Sequence, residues 1–408
     1  MTREAVRLLS VGAGEEQTPA IVRAQALGYH VIATDGNRDA PGLRVAKQGV
    51  HLDLRDTATL IALARKNAVQ AILPTPLGAI LRSTAAVSQA LGLPGPSVDA
   101  AFLSTDKLAQ RLALASSQIL QPSYLCLTDG IRIEELRERL APPLVLKPVE
   151  GSGSRGVRLL KESVSLSQLF DNRGTLLPEY SGQLIESRLP GEEYGVDAVA
   201  IGNDCQVLAL RAKTLGQAPY CVTIRYEVVD HPDQKVMASV QRTAAAVAAA
   251  LDYRNCLFHM DITIDATGEV HLIETAARPA GYGIVATLLP AVLSVDPTEQ
   301  ALAMLMQQSF TFDTQVVAQG MIDRLFDPPG NLLQLGHPQA AANVPGVLDL
   351  RVGVRAGDYV PVYESGSDCW KAGMVTLTAP TREELYERRQ TVDKTLDAVL
   401  ESHARKSC

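Results

Sequence analysis

The sequence has 408 residues, which is too long for one ordinary hydrophobic core and predicts two or three domains. Hydrophobic residues make up 46% of it, so a long disordered chain is excluded. The formal net charge of −7 gives no electrostatic reason to expect nucleic acid or an anionic membrane as the main partner.

Targeting and membrane segments are not expected. The N-terminal stretch lacks the long apolar core of a signal peptide, and no apolar run reaches membrane-spanning length. The six cysteines include no C-x-x-C pair, so reduced thiols are expected instead of a disulfide framework or a zinc site. These features predict a soluble cytoplasmic protein.

The first hundred residues alternate between strand and helix patterns. Buried apolar runs predict strands at 6–11, 29–35 and 68–75, and amphipathic segments predict helices at 18–28, 57–66 and 77–92. Such alternation predicts a parallel sheet with helices on its faces.

A first glycine motif, VGAGEEQTP, begins at Val11. A strand, a G-x-G turn and a helix, followed by Asp35 at the end of the next strand, imitate a dinucleotide-binding fingerprint. Gln17 and Thr18 stand where the third glycine would fall. A tight turn without a ligand is therefore the favoured interpretation, and dinucleotide binding is the alternative.

From residue 104 the pattern changes to mixed helices and strands. Further strands are predicted at 183–189, 193–202, 207–215, 256–265, 269–275 and 347–353, and helices at 106–115, 236–251 and 382–400. We divide the chain into an N-terminal βα domain (1–105), a small lobe with a glycine-rich loop (106–185), a large lobe with a metal site (186–310) and a C-terminal α+β part completing the large lobe (311–408).

The stretch LVLKPVEGSGSRGVRLLKE, residues 144–162, places Lys147 at the end of a strand and three glycines after it. A P-loop needs its lysine after the glycines and a helix next, and a kinase loop needs its lysine on the following strand, so both are excluded. The remaining interpretation is a loop that covers a triphosphate while Lys147 contacts a phosphate. A mobile hairpin with a solvated lysine is the alternative.

The stretch FHMDITIDATGEVHLIETAARPAGYG, residues 258–283, predicts a β-hairpin. If Thr267 and Gly268 form its loop, Asp261 lies opposite Glu274, and like charges at this position need a neutralising partner such as Mg²⁺. Arg278 would then stabilise negative charge on a reacting oxygen. The alternatives are a solvated acidic edge and a salt bridge from Arg278 to Glu274.

The stretch LIESRLPGEEYGVDAV, residues 184–199, is an acidic hinge that contains Glu186 and Glu193. A lysine, a glycine loop, this acidic hinge and a pair of acidic metal ligands, in this order, resemble the ATP-grasp superfamily of carboxylate–amine ligases. LVLKPVEGSGSRGV and LIETAARPAG are most similar to the L-amino-acid (dipeptide) ligases. The resemblance implies an α/β N-terminal domain followed by α+β ATP-grasp lobes, a multi-domain ATP-grasp fold. It also implies an activity in which ATP phosphorylates a carboxylate and an amine attacks the acylphosphate, with release of ADP and phosphate.

The resemblance further implies a role for each matching residue. Lys107 and Lys147 would contact the ATP phosphates, Gly153 and Ser154 would lie in the loop that covers them, Glu186 and Leu189 would contact adenine through the backbone, and Glu193 would bind the ribose. Asp261 and Glu274 would bind Mg²⁺, and Arg278 and Lys147 would contact the transferring phosphoryl group. Gly281 and Tyr282 would line an amino-acid pocket.

Two positions depart from the superfamily pattern. Many members have Glu-x-Asn at the second metal ligand, whereas Glu274 is followed by Thr275 and Ala276, so a second Mg²⁺ would be held less securely. Asp261 stands where Glu is commoner, which shortens the reach of that ligand.

Expectations also follow for the partners and for a catalytic base. The expected partners are a small-molecule carboxylate and an amine, without nucleic acid or membrane, and a homodimer is plausible from the family. His259 lies near Asp261 and is a candidate base, although a core or supporting histidine is favoured. The alternatives are another ATP-grasp ligase, of the purine-pathway or carboxylase type, and a non-catalytic nucleotide-binding regulator.

Overall fold

A computed structural model describes residues 6–161 and 166–401 of the chain. Residue 162, the last of the glycine-loop stretch, and Cys408 lie outside the described residues. The five cysteines within them are free thiols. In the described part of the chain, no helix combines the length and the apolar character needed to cross a membrane.

The N-terminal part is a parallel sheet flanked by helices. Its elements are β1 (Arg7–Val11), α1 (Thr18–Ala26), β2 (His30–Asp35), α2 (Pro41–Val45), β3 (Gln48–His51), α3 (Thr57–Lys66), β4 (Ala71–Ile72) and α4 (Leu81–Leu91). The sheet order is β3-β2-β1-β4, and all three strand pairs are parallel, which confirms the predicted arrangement.

The predicted strand 68–75 is too long. Strand β4 ends at Ile72, and α4 begins at Leu81 instead of residue 77. Pro74 and Pro76 follow the strand, and a proline has no N–H to donate to a sheet. The segment between Ile72 and Leu81 therefore remains a loop.

Two helices lead into a small antiparallel sheet. The elements are α5 (Val98–Leu103), α6 (Lys107–Leu114), β5 (Tyr124–Cys126), α7 (Ile133–Arg139), β6 (Leu144–Pro148), β7 (Arg158–Leu160), a short 3₁₀ helix (Pro178–Tyr180) and β8 (Gln183–Ser187). The strand order is β5-β8-β6-β7. The glycine-rich stretch connects the antiparallel pair β6–β7, so a strand follows it, as the exclusion of a P-loop required. The predicted boundary at 185/186 falls within β8.

The rest of the chain forms a large sheet, a separate three-stranded sheet and the helices around them. Its elements are β9 (Glu192–Ile201), β10 (Asp204–Leu215), β11 (Thr223–Val228), α8 (Gln234–Ala250), β12 (Cys256–Ile264), β13 (Val270–Ala276), a π-helical turn (Ile284–Leu288), α9 (Leu289–Val292), α10 (Pro297–Leu305), β14 (Gln319–Arg324), β15 (Gly330–Gln334), α11 (Pro338–Ala342), β16 (Val347–Val352), β17 (Tyr359–Val360), α12 (Gly366–Ala372), β18 (Gly373–Ala379), α13 (Arg382–Leu396) and β19 (Val399–Glu401).

This large sheet has eight strands in the order β13-β12-β9-β10-β11-β14-β18-β16. Strands from the last hundred residues therefore continue the sheet beyond β11, and one buried apolar cluster extends from Val199 to Leu396. A separate three-stranded sheet has the order β17-β15-β19.

The predicted C-terminal helix 382–400 is also too long. Helix α13 ends at Leu396 because Asp397 adopts a left-handed backbone conformation with φ 42°. The residues that follow form β19, which pairs with β15. The C-terminal boundary of α13 depends on the pairing of β19 with β15, which the periodicity of the helix cannot predict.

Candidate active site

Asp261 and Glu274 face each other across the β12–β13 hairpin, as predicted, but for a different reason. The strands end at Ile264 and Val270, so the connection is longer than the predicted two-residue loop. A β-bulge between Asp261 and Ile262 leaves Ile273 without a partner and restores the register. The Ile273 carbonyl accepts a hydrogen bond from Arg111 instead.

Glu274 is neutralised by lysines. Its Oε2 lies 3.5 Å from Nζ of Lys107, which also donates a 2.9 Å hydrogen bond to the carbonyl of Gly151. Burial alone would raise the pKa of Glu274, but the charges of Lys107 and Lys147 lower it to about 2. Lys107 thus joins the predicted metal ligand to the glycine loop.

Asp261 is neutralised by Lys213, a residue that sequence reasoning missed. Nζ of Lys213 lies 3.0 Å from Asp261 Oδ2 and 3.7 Å from Glu193 Oε2. Burial alone would lower the pKa of Lys213. The negative charges of Asp261 and Glu193 outweigh burial and hold this pKa above its ordinary value. Burial raises the pKa of Glu193, and Lys213 opposes this shift. The site therefore holds a buried lysine between two of the predicted carboxylates.

Gly195 leaves space for the guanidinium group of Arg211 near Asp261. Gly195 of β9 pairs with Asp261 on one side and with Arg211 on the other, so the three residues lie in one row across the sheet. A Cβ at Gly195 would lie 2.6–2.7 Å from the Arg211 guanidinium. Arg211 is buried and forms two hydrogen bonds to Asp197, at 2.6 and 3.3 Å.

Lys147 forms a buried ion pair with Glu186. The Lys147 Nζ–Glu186 Oε2 distance is 2.6 Å, and Arg111 Nε lies 2.7 Å from Oε1 of the same carboxylate. Burial raises the pKa of Glu186, but the two cations outweigh it and hold this pKa below its usual value. Burial also lowers the pKa of Lys147. Arg111 was not predicted, and its only sequence signal is its position one helical turn after Lys107.

The hinge after β8 is arranged differently from the expectation for Glu186. The Glu186 backbone pairs with Tyr124 and with Val145, so it belongs to the interior of the small sheet. Its side chain fixes Lys147 and Arg111. Beyond the end of the strand, Arg188 and Leu189 line a cavity.

The glycine loop adopts backbone conformations that suit its composition. Gly151, Gly153, Ser154 and Gly156 all have positive φ, at 137°, 68°, 58° and 73°. The Gly366 N–H, at the start of α12, donates a 2.9 Å hydrogen bond to the Gly153 carbonyl. The loop is thereby attached to the C-terminal part of the chain.

Two cavities meet at the carboxylate pair. The first cavity encloses about 880 Å³ including space open to solvent, and its walls include Lys107, Lys147, Glu186, Leu189 and Glu193. The second encloses about 1480 Å³ on the same basis, and its walls include Glu16, Arg211, Gly281, Tyr282 and Trp370. Residues shared by both cavities are Ser152, Ser154, Arg155, Lys213, Asp261 and Glu274.

Arg278 and Tyr282 lie on the wall of the second cavity. Burial lowers the pKa of Arg278, while the charges of Glu16 and Glu274 oppose this shift. Within the described residues Arg278 forms no ion pair with Glu274, and its Nη1 donates a 2.9 Å hydrogen bond to the Pro279 carbonyl. Tyr282 packs on Trp370, with ring centroids 5.7 Å apart.

His259 lies beside these residues as a neutral group. Its Nδ1 is 3.1 Å from the Arg278 carbonyl. Burial, together with the Arg278 charge, lowers the His259 pKa to about 4. An imidazole with so low a pKa is a weak base at neutral pH, which favours the supporting role over that of the base.

The carboxylates of Asp261 and Glu274 suit a Mg²⁺ ion that also binds substrate phosphates. Asp261 and Glu274 offer two carboxylates at the junction of the cavities, and each already has a lysine ammonium beside it. The described residues contain no group of three or more His, Cys, Asp or Glu side chains placed to hold a metal. Mg²⁺ commonly takes one or two carboxylates and completes its shell with phosphates and water.

The Asp35 carboxylate is hydrogen-bonded to the backbone of the N-terminal G-x-G turn. Asp35 accepts 2.8 Å hydrogen bonds from the backbone N–H groups of Ala13 and Asn37. The carboxylate that a dinucleotide ribose would need is therefore occupied, which favours the turn without a dinucleotide. Glu16, two residues after Gly14 in the same turn, lines the second cavity.

Two family models match the chain. Residues 140–286 match the ATP-grasp domain, and residues 324–401 match the L-amino acid ligase C-terminal domain 2. The first match contains Lys147, the glycine loop, Asp261 and Glu274, and the second contains the strand β18 that extends the large sheet.

Sequence relatives are similar over most of the chain. An uncharacterized protein of Sinorhizobium fredii is 27% identical over 71% of this chain, and the match spans 60% of that protein. A formate-dependent phosphoribosylglycinamide formyltransferase of Azotobacter vinelandii is 28% identical, with 71% of this chain and 73% of the relative covered.

Solved structures resemble the whole architecture. An L-amino acid ligase from Bacillus licheniformis has a TM-score of 0.77 at 17% identity, covering 98% of this chain and all of that one. The biotin carboxylase domain of a Hydrogenobacter thermophilus 2-oxoglutarate carboxylase, solved with MgADP and bicarbonate, has a TM-score of 0.71 at 15% identity and covers 97% and 90%.

Proposed function

Since the chain has the ATP-grasp fold, with an ATP-grasp domain followed by an L-amino acid ligase C-terminal domain, we propose that it is an ATP-dependent carboxylate–amine ligase. The proposed reaction joins an L-amino acid to another amino acid or amine and releases ADP and phosphate. The observation that carries this proposal is the meeting of two cavities at Lys213, Asp261 and Glu274.

The first cavity is proposed to hold ATP. Lys107 and Lys147 line this cavity and are proposed to contact the phosphates, and Leu189 and Glu193, which also line it, are proposed to contact adenine and ribose. Lysine ammonium groups bind phosphate oxygens as point charges, and the buried setting strengthens that attraction. Mg²⁺ on Asp261 and Glu274 would supply further positive charge to the phosphate oxygens.

The second cavity is proposed to hold the carboxylate that is phosphorylated. A free carboxylate has a poor leaving group, and phosphorylation converts its oxygen into a good one. Arg278 and Lys213 line this cavity, and their positive charges are proposed to stabilise the negative charge that develops on the transferring group. The amine then attacks the acylphosphate carbon, and phosphate leaves.

Water must be kept from an acylphosphate, because it hydrolyses readily. Ser152 and Ser154 of the glycine loop line both cavities, and Gly153 is hydrogen-bonded to Gly366. We therefore propose that the loop covers the junction and that its closing excludes solvent at the moment of transfer.

The test is phosphate release from Mg²⁺-ATP with the twenty amino acids, singly and in pairs, with products weighed by mass spectrometry. Release that requires a pair and yields a dipeptide mass supports the proposal. ATP binding without release for any pair would contradict it and favour the nucleotide-binding regulator.

A matched pair of variants tests the role of the carboxylate pair. Glu274→Gln keeps the shape but removes the charge, and should lower the rate by about 100-fold or more. Glu269→Gln changes an exposed carboxylate on the same hairpin and should release phosphate as the wild type does. Equal rates for both variants would remove Glu274 from the mechanism.

A further inference from the structure

Glu16 belongs to the N-terminal domain but lies on the wall of the second cavity, beside Gly281 and Tyr282. Its Oε1 accepts a 2.6 Å hydrogen bond from the Tyr282 N–H. The neighbouring Gln17 fixes the loop, since its amide donates a 2.7 Å hydrogen bond to the Pro76 carbonyl. Glu16 is therefore held in place by contacts with two distant segments.

The Glu16 carboxylate has charge to offer a ligand. Within the described residues it forms no ion pair, and Oε2 makes no hydrogen bond, whereas the adjacent Glu15 is paired with Arg351 outside the cavity. Carboxylates near a cavity wall that lack a paired cation favour binding of a cationic group.

The surroundings of Glu16 suit one end of a zwitterion. Arg278 lies on the same wall, close enough for Glu16 to favour its charged form. A molecule with a carboxylate directed at Arg278 and an ammonium directed at Glu16 would satisfy both groups. The ring of Tyr282 lines the same cavity, and aromatic faces also attract ammonium groups.

We propose that Glu16 binds the α-ammonium group of the amino acid whose carboxylate is phosphorylated. This assignment rests on the ligase function proposed above. A carboxylate beside an amine favours its protonated form, and a protonated amine cannot act as a nucleophile. Glu16 would therefore suit the carboxylate donor, whose amine must not react, and not the acceptor, whose amine must lose its proton.

A purely structural role for Glu16 makes a different prediction. Tyr282 has a left-handed backbone with φ 56°, and a hydrogen bond to its N–H would help to hold that conformation. Glu16→Gln separates the two roles, because the amide oxygen still accepts the Tyr282 N–H while the negative charge is lost.

The experiment measures binding by calorimetry in the presence of Mg²⁺-ADP. The probes are L-alanine, L-leucine and L-phenylalanine, each paired with the 2-hydroxy acid in which a hydroxyl replaces the amine. The wild type should bind at least one amino acid about 10- to 100-fold more tightly than its hydroxy acid. Glu16→Gln should lose most of that preference, and Glu15→Gln should keep it.

Three results would overturn the assignment: no binding of any of these amino acids by the wild type, no preference for the ammonium, or an unchanged preference in Glu16→Gln. Because the measurement needs no turnover, it is independent of the ligase test. A preference that depends on Glu16 in a protein that releases no phosphate would keep the ammonium site and refute only the reaction.

Discussion

The Lys213 side chain is only 6% exposed, and its ammonium group lies between Asp261 and Glu193 near the end of strand β10. Removing a cation from between two partly buried carboxylates leaves their repulsion uncompensated. The same ammonium lines both cavities, so its charge also acts at the proposed point of phosphoryl transfer.

Lys213→Met, which keeps the length of the side chain but not its charge, should therefore lower phosphate release by about 100-fold or more. The exposed Lys235→Met, at the start of α8, is the matched control and should behave as the wild type. Near-UV circular dichroism would establish that both variants are folded. Wild-type turnover in a folded Lys213→Met protein would contradict the role of this residue.

The low pKa of His259 predicts that the free energy of unfolding depends on pH. Its pKa in the folded protein is about 4, below the ordinary value of 6.5, so the unfolded chain takes up the proton first as the pH falls. Stability from the neutral imidazole is therefore complete above about pH 6.5 and is lost progressively towards pH 4, by roughly 3 kcal/mol in all.

The variant His259→Gln cannot titrate in this range, yet its amide can still donate to the Arg278 carbonyl. Urea unfolding between pH 4 and 8 should show the wild type losing stability relative to the variant as the pH is lowered. Parallel curves for the two proteins would show that His259 is not held neutral.

The glycine loop is an element whose geometry depends on a side chain from another lobe. A Cβ at Gly153 would lie 2.6 Å from the Tyr282 hydroxyl, and one at Gly366 would lie 2.2 Å from the same atom. Tyr282 thus fits between the loop and the start of α12 because both neighbours are glycines. This packing gives Tyr282 a second role beside the proposed amino-acid pocket.

Gly153→Ala should prevent the loop from closing and lower phosphate release by about tenfold or more, since a loop that closes incompletely positions the transferring phosphoryl group poorly. Gly130→Ala is the matched control, because its φ of 82° imposes a similar backbone cost with no neighbour within 4 Å. Adding Tyr282→Phe to Gly153→Ala removes the clashing hydroxyl and should restore part of the rate. A double variant no faster than Gly153→Ala would refute the steric explanation.

At the scale of the whole molecule, the large sheet cannot be divided at residue 310. Strand β14 pairs with β11, and β18 pairs with β14, so the last hundred residues cover an edge that would otherwise be open. Met321, Val375 and Leu377 belong to the same buried cluster as Val199 and Leu257.

A chain shortened to residues 1–310 should therefore fail to fold cooperatively, whereas one shortened to 1–401 keeps every described element. Limited proteolysis and thermal unfolding would compare the two. A stable, cooperatively unfolding 1–310 fragment would show that the C-terminal part is an independent domain.

Features that depend on nearby residues are predictable from the amino-acid sequence alone. Apolar periodicity predicted the parallel N-terminal sheet, glycine composition predicted the loop between β6 and β7, and strand alternation predicted the β12–β13 hairpin, although the pairing of Asp261 with Glu274 also requires the bulge at Ile273. These features are predictable because strand alternation, turn chemistry and hairpin pairing act over a few residues.

The remaining parts of the site depend on contacts between residues that are distant in sequence. Lys213, Arg111 and Glu16 come from different lobes, and nothing in the residues around each of them reports the carboxylate or backbone group it meets. The bulge at Ile273 and the end of α13 at Leu396 depend likewise on partners distant in sequence. Long-range packing selects these contacts after the local elements have formed, so a local pattern cannot encode them.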